Sequence, residues 1–291
     1  ELANRLQATT LFKKMAGVSP QRQLPAFALV PFTKGVEKAV NAESSGQNVI
    51  LLVDIFTQYQ NPQIAEDAVT VLKAASLTVH PVLMKTSPRQ LISQGLLAEA
   101  KTASQQLLGQ INAHPREFLI VGLEPSELLV LRDELVSLVG AEYKEQASEI
   151  KSRAFLLEEL LATQFSSHNA VTERFTQLLK QDPVRVAIHT HCHQKSWVGN
   201  TSIEIVFSLL PGVTFSVLKT GCCGMAGQLG YENPEFSEKV AKTSFLPALI
   251  TLDKETVLIA GGCSCRAQAA ILADIKALHP AVFLAERLFR E

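Results

Sequence analysis

Residues 48 to 53, Asn48-Val49-Ile50-Leu51-Leu52-Val53, are a nearly unbroken apolar run whose length suits a strand buried on both faces of a sheet. The residues that follow carry helical signals. Asn61 is a good N-cap residue, Pro62 suits the first helical position, and Ile64, Ala68, Val71 and Leu72 recur at helical spacing to about Ala75. Thr78 to Leu83 reads as a second strand, residues 92 to 111 as a long helix, and Phe118 to Gly122 as a third strand. Strand and helix alternate, which predicts a parallel sheet covered by helices.

The same order recurs further along. Val184 to Thr190 reads as a strand, Ser202 to Leu210 as a helix stopped by Pro211-Gly212, and Val213 to Lys219 as a strand. Residues 232 to 250 read as helical, Thr256 to Ala260 as a strand, and a last helix begins near Arg266 and runs to about Ala277. One half lies on the other with Val49-Ile50-Leu51-Leu52 against Arg185-Val186-Ala187-Ile188 and Gly122-Leu123-Glu124-Pro125-Ser126 against Ala260-Gly261-Gly262-Cys263-Ser264. The expected fold is α/β, with two tandem lobes that are each a small parallel sheet flanked by helices. The divisions are an N-terminal arm over 1–45, a first lobe over 46–142, connecting helices over 143–183 and a second lobe over 184–291. Phe155, Leu156, Leu160 and Leu161 carry the helical spacing expected of the connection.

Composition narrows the function. The 291 residues are 47% apolar and 19% charged, which describes an ordinary globular chain rather than a disordered or fibrous one. Lys and Arg number 27 against 28 for Asp and Glu, leaving no surplus of positive charge for a nucleic-acid partner. No apolar run approaches the roughly eighteen residues of a transmembrane segment. The chain opens at Glu1 without an export leader, so it is expected to be a cytoplasmic segment of a longer polypeptide.

All five cysteines lie between 192 and 265. Scattered structural thiols would not crowd so, and an odd number with an adjacent pair argues against a disulfide framework. Cys192 follows the Val184 to Thr190 strand, Cys222 and Cys223 follow Val213 to Lys219, and Cys263 and Cys265 follow Thr256 to Ala260. Carboxyl ends of parallel strands line one crevice, so these cysteines are expected to converge there. Thiolates near helix N-termini gain from the dipole, and four at one point suit a cubane iron-sulfur cluster or a tetrahedral zinc ion.

At these residues the chain resembles a known family. His191-Cys192-His193-Gln194-Lys195, Thr220-Gly221-Cys222-Cys223-Gly224-Met225-Ala226-Gly227 with Gly230-Tyr231, and Ser264-Cys265-Arg266 are similar to the cysteine-rich domain named for its Cys-Cys-Gly signature. That domain occurs in the heterodisulfide reductases, in the iron-sulfur subunit of glycolate oxidase, and in the C-terminal part of flavin-linked D-lactate and D-2-hydroxyglutarate dehydrogenases. In the first lobe, Val53-Asp54-Ile55-Phe56-Thr57, Leu91 to Leu97, and Val121 to Ser126 with Leu131-Arg132-Asp133-Glu134 resemble the matching parts of the large dehydrogenases. The resemblance implies that Cys192, Cys222, Cys223 and Cys265 bind a 4Fe-4S-type cluster, with zinc the alternative, and that electrons pass from a reduced flavin to an acceptor.

The first lobe departs from that pattern. Phe56, then Thr86 and Ser87 followed by Pro88, and Glu127 stand where the family has its cysteines and glycine, and they cannot hold a cluster iron as thiolates do. This lobe is expected to be an emptied corner that survives as scaffold or docking surface. There is no ferredoxin cysteine run and no glycine-rich nucleotide loop, so FAD and ferredoxin-like domains are expected upstream or on a partner chain. Cys263 stands two positions before the last ligand of the pattern and is set apart from the quartet. His189, His191 and His193 alternate along the strand end, with hydrogen bonding to the site, a helix cap and a core contact all open for His191 and His193. Lys195 and Arg266 either offset cluster charge or are solvated. Glu124 and Glu127 are expected to be surface or helix-start carboxylates, and Trp197 and Phe207 to be core residues.

The leading expectation is an iron-sulfur electron-transfer module of an FAD-linked 2-hydroxy-acid dehydrogenase. The alternatives are a structural zinc-binding or metal-free interaction domain, and a thiol catalyst like the heterodisulfide reductases.

Overall fold

The computed structural model describes residues 1–34 and 46–289. Two parallel sheets form the frame. The first contains β1 (Gln47–Val53), β2 (Leu77–Leu83), β3 (Leu119–Gly122) and β4 (Ala154–Leu156) in the order β2-β1-β3-β4. The second contains β5 (Val184–His189), β6 (Val213–Val217) and β7 (Val257–Ala260) in the order β6-β5-β7. The α/β reading with two small helix-flanked parallel sheets is what the chain adopts.

The central strand β1 is the run that decided the fold, and Val49 to Val53 are all buried. Its two faces serve different cores. Val49, Leu51 and Val53 join Leu72 of the first lobe, and Leu161 and Phe165 of the connecting helices, to Val186, Ile188, Phe207 and Phe283 of the second lobe in one continuous apolar cluster. Ile50 and Leu52 point the other way, onto Leu128, Leu131 and Ile150. The lobes therefore share a core rather than hanging from a linker. The stacked rings of Phe207 and Phe283, 5.5 Å apart, lie within that shared layer.

Several expectations need correction. Ala154–Leu156, read as part of a connecting helix, is a strand paired in parallel with β3, and Arg153 O accepts from Ile120 N at 2.8 Å. Three residues are too few to show a period, so sheet pairing decides the matter. The helix expected over 92 to 111 is two, Pro88–Ser93 and Leu97–Asn112, separated by Gly95 in the left-handed region at φ +76°. Residues 232 to 250 divide into Pro234–Ala241, capped by the Asn233 side chain on Phe236 N at 3.1 Å, and Phe245–Ile250, after a short helix at Leu229–Glu232. The final helix starts earlier than expected, at Cys263, and ends at Ala273; Pro280–Arg287 is a further helix.

The described part of the N-terminal arm packs on the body; the rest of the expected 1–45 segment, residues 35–45, lies outside the described residues. Arg22 is buried and donates to Gln268 Oε1 and Pro234 O, each at 3.4 Å, while Ala28 N donates to Tyr59 O at 2.7 Å. Among the described residues no helix is long and apolar enough to cross a membrane.

Candidate cysteine centre

Three strand ends build the centre. Because β6, β5 and β7 are parallel neighbours, their carboxyl ends open on the same edge of the second sheet. After β5 the chain passes Thr190 and His191 into the helix Cys192–Trp197. After β6 it runs through Thr220 and Gly221 to Cys222 and Cys223, and after β7 it turns at Gly261-Gly262 into the helix Cys263–Ala273. Gly224 has φ +86°, and a Cβ there would lie 2.2 Å from Ser237 O, so only glycine lets the loop turn at this point.

Four of the thiols neighbour one another in pairs. Cys192 and Cys223 each contact Cys222, and Cys223 also contacts Cys265. The contacts sort the sulfurs by charge. Thiols at Cys192 and Cys223 are raised, chiefly because they donate to Cys222, whereas Cys222 is lowered by receiving those bonds and by Gly224 N at 3.3 Å from its sulfur. Cys265 is lowered, first by Cys223 and then by His189. Cys192 is exposed, whereas Cys223 and Cys265 sit in the apolar cluster with Met225 and Phe245. All five cysteines are free thiols.

The histidines and cations support the loops. The strand ends at His189, so the expected alternation through His193 does not persist. His191 Nδ1 instead accepts from His193 N at 3.3 Å and caps the short helix. His189, which the sequence did not single out from its neighbours, bonds Thr220 Oγ1 through Nδ1 at 2.7 Å. Its Nε2 is buried without a hydrogen-bond partner among the described residues, and the His189 side chain lies beside the Cys265 thiol and lowers it. Lys195 and Arg266 are not free solvated chains. Lys195 donates to Thr220 O, and Arg266 Nη1 donates to Ala260 O at 3.0 Å and Gly261 O at 2.5 Å. Burial lowers Lys195, against the neighbouring thiolates that favour its charge.

The first lobe's counterpart is a corner of buried acids. Ser87 donates to Glu127, and both are buried, whereas Thr86 is exposed and Phe56 is half-buried. Asp54 accepts from Phe56 N and Thr57 N, both at 2.9 Å, and from Thr57 Oγ1 at 2.6 Å. Glu124 and Glu127 do stand at a helix start, as the N-cap and in the first turn of Pro125–Arg132, but they are not surface carboxylates: they are 3% and 2% exposed. Burial, with Glu124 nearby, pushes Asp54 up to about 6. Burial, opposed by the Ser87 bond and reinforced by Asp54 and Glu124, pushes Glu127 up to about 8. Trp197 is 47% exposed, in contrast to the buried Phe207, because its helix lies at the surface beside Cys192.

Four sulfurs from three loops are a donor set suited to a soft metal or a cluster. They touch one another, however, and among the described residues no group of three or more His, Cys, Asp or Glu side chains forms a ready-made metal cage. Thiolate ligation would need the side chains to turn from each other toward a common point.

The fold and site define a two-lobed α/β protein with one cysteine centre and one acidic counterpart. No family model matches the chain. It is similar to D-2-hydroxyglutarate dehydrogenase of Escherichia coli strain K12, 27% identical over 275 residues that cover 92% of this chain, and to that of Pantoea ananatis, 26% identical over 273 residues covering 91%. The chain spans about a quarter of the length of these relatives. It is also similar to one subunit of the anaerobic glycerol-3-phosphate dehydrogenase of Escherichia coli strain K12, 22% identical over 277 residues that cover 93% of this chain and 67% of that protein. The relatives are, as their names state, dehydrogenases or parts of one.

Proposed function

We propose that this chain is an electron-transfer module of an FAD-linked 2-hydroxy-acid dehydrogenase, with a 4Fe-4S-type cluster held by Cys192, Cys222, Cys223 and Cys265. The observation that carries the reading is the placement of these four cysteines on loops at the carboxyl ends of three adjacent strands, with Cys222 beside Cys192 and Cys223, and Cys223 beside Cys265. A bound iron-sulfur cluster supplies one-electron transfer. The residues supply the rest. Cys222 and Cys265 already favour the thiolate that ligation needs, His189 supports Cys265, and Lys195 fixes the Thr220 carbonyl beside the pair. Similarity to D-2-hydroxyglutarate dehydrogenases over nine-tenths of the chain supports a place in such an enzyme, with the flavin and ferredoxin-like parts outside this sequence. Free cysteines accord with a reducing compartment such as the cytoplasm.

One observation favours a second reading. Thiols donating to a thiolate, with no preformed cage among the described residues, suit a dithiol engaged in thiol-disulfide exchange. Anaerobic reconstitution with ferrous iron and sulfide, followed by a visible spectrum and iron and zinc analysis, separates the readings. A brown protein with stoichiometric iron supports the cluster. A colourless protein with zinc means a structural site, and a colourless metal-free protein with five titratable thiols leaves thiol chemistry.

A further inference from the structure

Glu124 and Gly262 hold equivalent places in the two lobes, each the N-cap of the helix that follows the third strand of its repeat. Their roles are crossed. The Glu124 side chain caps no backbone amide of its own helix, and Gly262 has no side chain with which to cap the helix Cys263–Ala273. Gly262 cannot readily be replaced by a capping residue, because a Cβ there would lie 2.4 Å from His191 Cδ2. Instead Glu124 Oε2 accepts from Cys263 N at 2.7 Å, and the Cys263 thiol also donates to this carboxylate. Glu124 Oε1 is held in turn by Ser126 Oγ at 2.9 Å.

We infer that Glu124 is a positioning residue that caps, from the first lobe, the helix bearing Cys263 and Cys265, and so fixes Cys265 against Cys223 and His189. Its significance for an electron-transfer centre rests on the function proposed above; the cap itself does not. A carboxylate at a helix N-terminus satisfies an otherwise unpaired amide and is stabilised by the dipole. Here the helix is eleven residues long, and the carboxylate comes from 139 positions away. His279 Nε2, donating to Leu123 O at 3.0 Å, ties the same two lobes, and Gln194, donating to Glu158, ties the second lobe to the connecting helices. The acidic corner of the first lobe is thus the socket that holds the cysteine-bearing loop of the second.

The test uses the full chain, reduced and metal-free, and measures cysteine-resolved alkylation by iodoacetamide. Loss of an N-cap raises local opening about tenfold. Glu124→Ala is expected to accelerate alkylation of Cys265 by about that factor while Cys223 keeps its wild-type rate, and Glu124→Gln, whose amide oxygen still accepts, is expected to stay within about threefold of wild type. If the alanine variant does not fold, Glu124→Asp, one methylene short of Cys263 N, is read in its place. An unchanged Cys265 rate, an equal rise at Cys223, or a glutamine variant as reactive as the alanine one overturns the inference. A wild-type protein that never takes iron but shows this alkylation pattern retains the cap and loses the electron-transfer reading.

Discussion

Glu127→Gln should make this protein markedly less sensitive to alkaline pH. Glu127 is 2% exposed, accepts from Ser87, and has its second oxygen unpartnered among the described residues. Burial moves it from its ordinary 4.5 to about 8, so between those values the folded protein keeps a proton that the unfolded chain has released. Stability is then fully present at acid pH and lost as the pH rises toward 8, at about 1.4 kcal/mol per unit. Between pH 5 and pH 8 the loss from this one group comes to roughly 4 kcal/mol. An amide carries no such cost, and its oxygen still accepts from Ser87. Asp54, raised to about 6 in the same corner, contributes a smaller fall that the variant retains. Urea unfolding of the metal-free, reduced protein at pH 5, 7 and 9 should therefore give similar stabilities at pH 5 and a variant about 4 kcal/mol ahead at pH 9, or about 10 °C in thermal midpoint. Parallel pH profiles for the two proteins would refute the assignment of a buried, neutral carboxyl to Glu127.

Three further outcomes are expected. Cys222→Ser and Cys265→Ser should abolish iron uptake on anaerobic reconstitution, whereas Cys263→Ser should retain most of the colour; the reverse pattern would mean that the ligands are misassigned. Gly224→Ala should destabilise the chain by more than about 1 kcal/mol in thermal unfolding, because it adds a strained φ to a contact with the Ser237 carbonyl. The isolated chain should show no oxidation of D-2-hydroxyglutarate, D-lactate or glycolate with added flavin and a dye acceptor, because hydride abstraction needs a flavin held against substrate beside a positioned base. Turnover near one per second would show a catalytic domain where a relay is proposed.

Local patterns in the chain determined the layered α/β fold. A strand buried on both faces must be apolar along its length, as Val49 to Val53 are, and a helix must repeat its apolar residues as Ile64, Ala68, Val71 and Leu72 do. Strand-end placement also made it legible that the loops bearing Cys192, Cys222, Cys223 and Cys265 leave one edge of the second sheet, since parallel strands bring their carboxyl ends there. What depends on pairing across long separations was hidden. Ala154–Leu156 is a strand only because β3 offers it an edge, and Trp197 is exposed only because of where its helix docks. The order of the sulfurs, with Cys222 and Cys265 favoured as thiolates, follows from which side chains touch in the folded state. Glu124 is the plainest case. A glutamate at the start of a helix ordinarily caps that helix's own amides, and only the packing of the two lobes brings its second carboxylate oxygen onto the amide of Cys263. Short-range periodicity is written residue by residue, whereas burial of a charge and the partner it finds are properties of the assembled core.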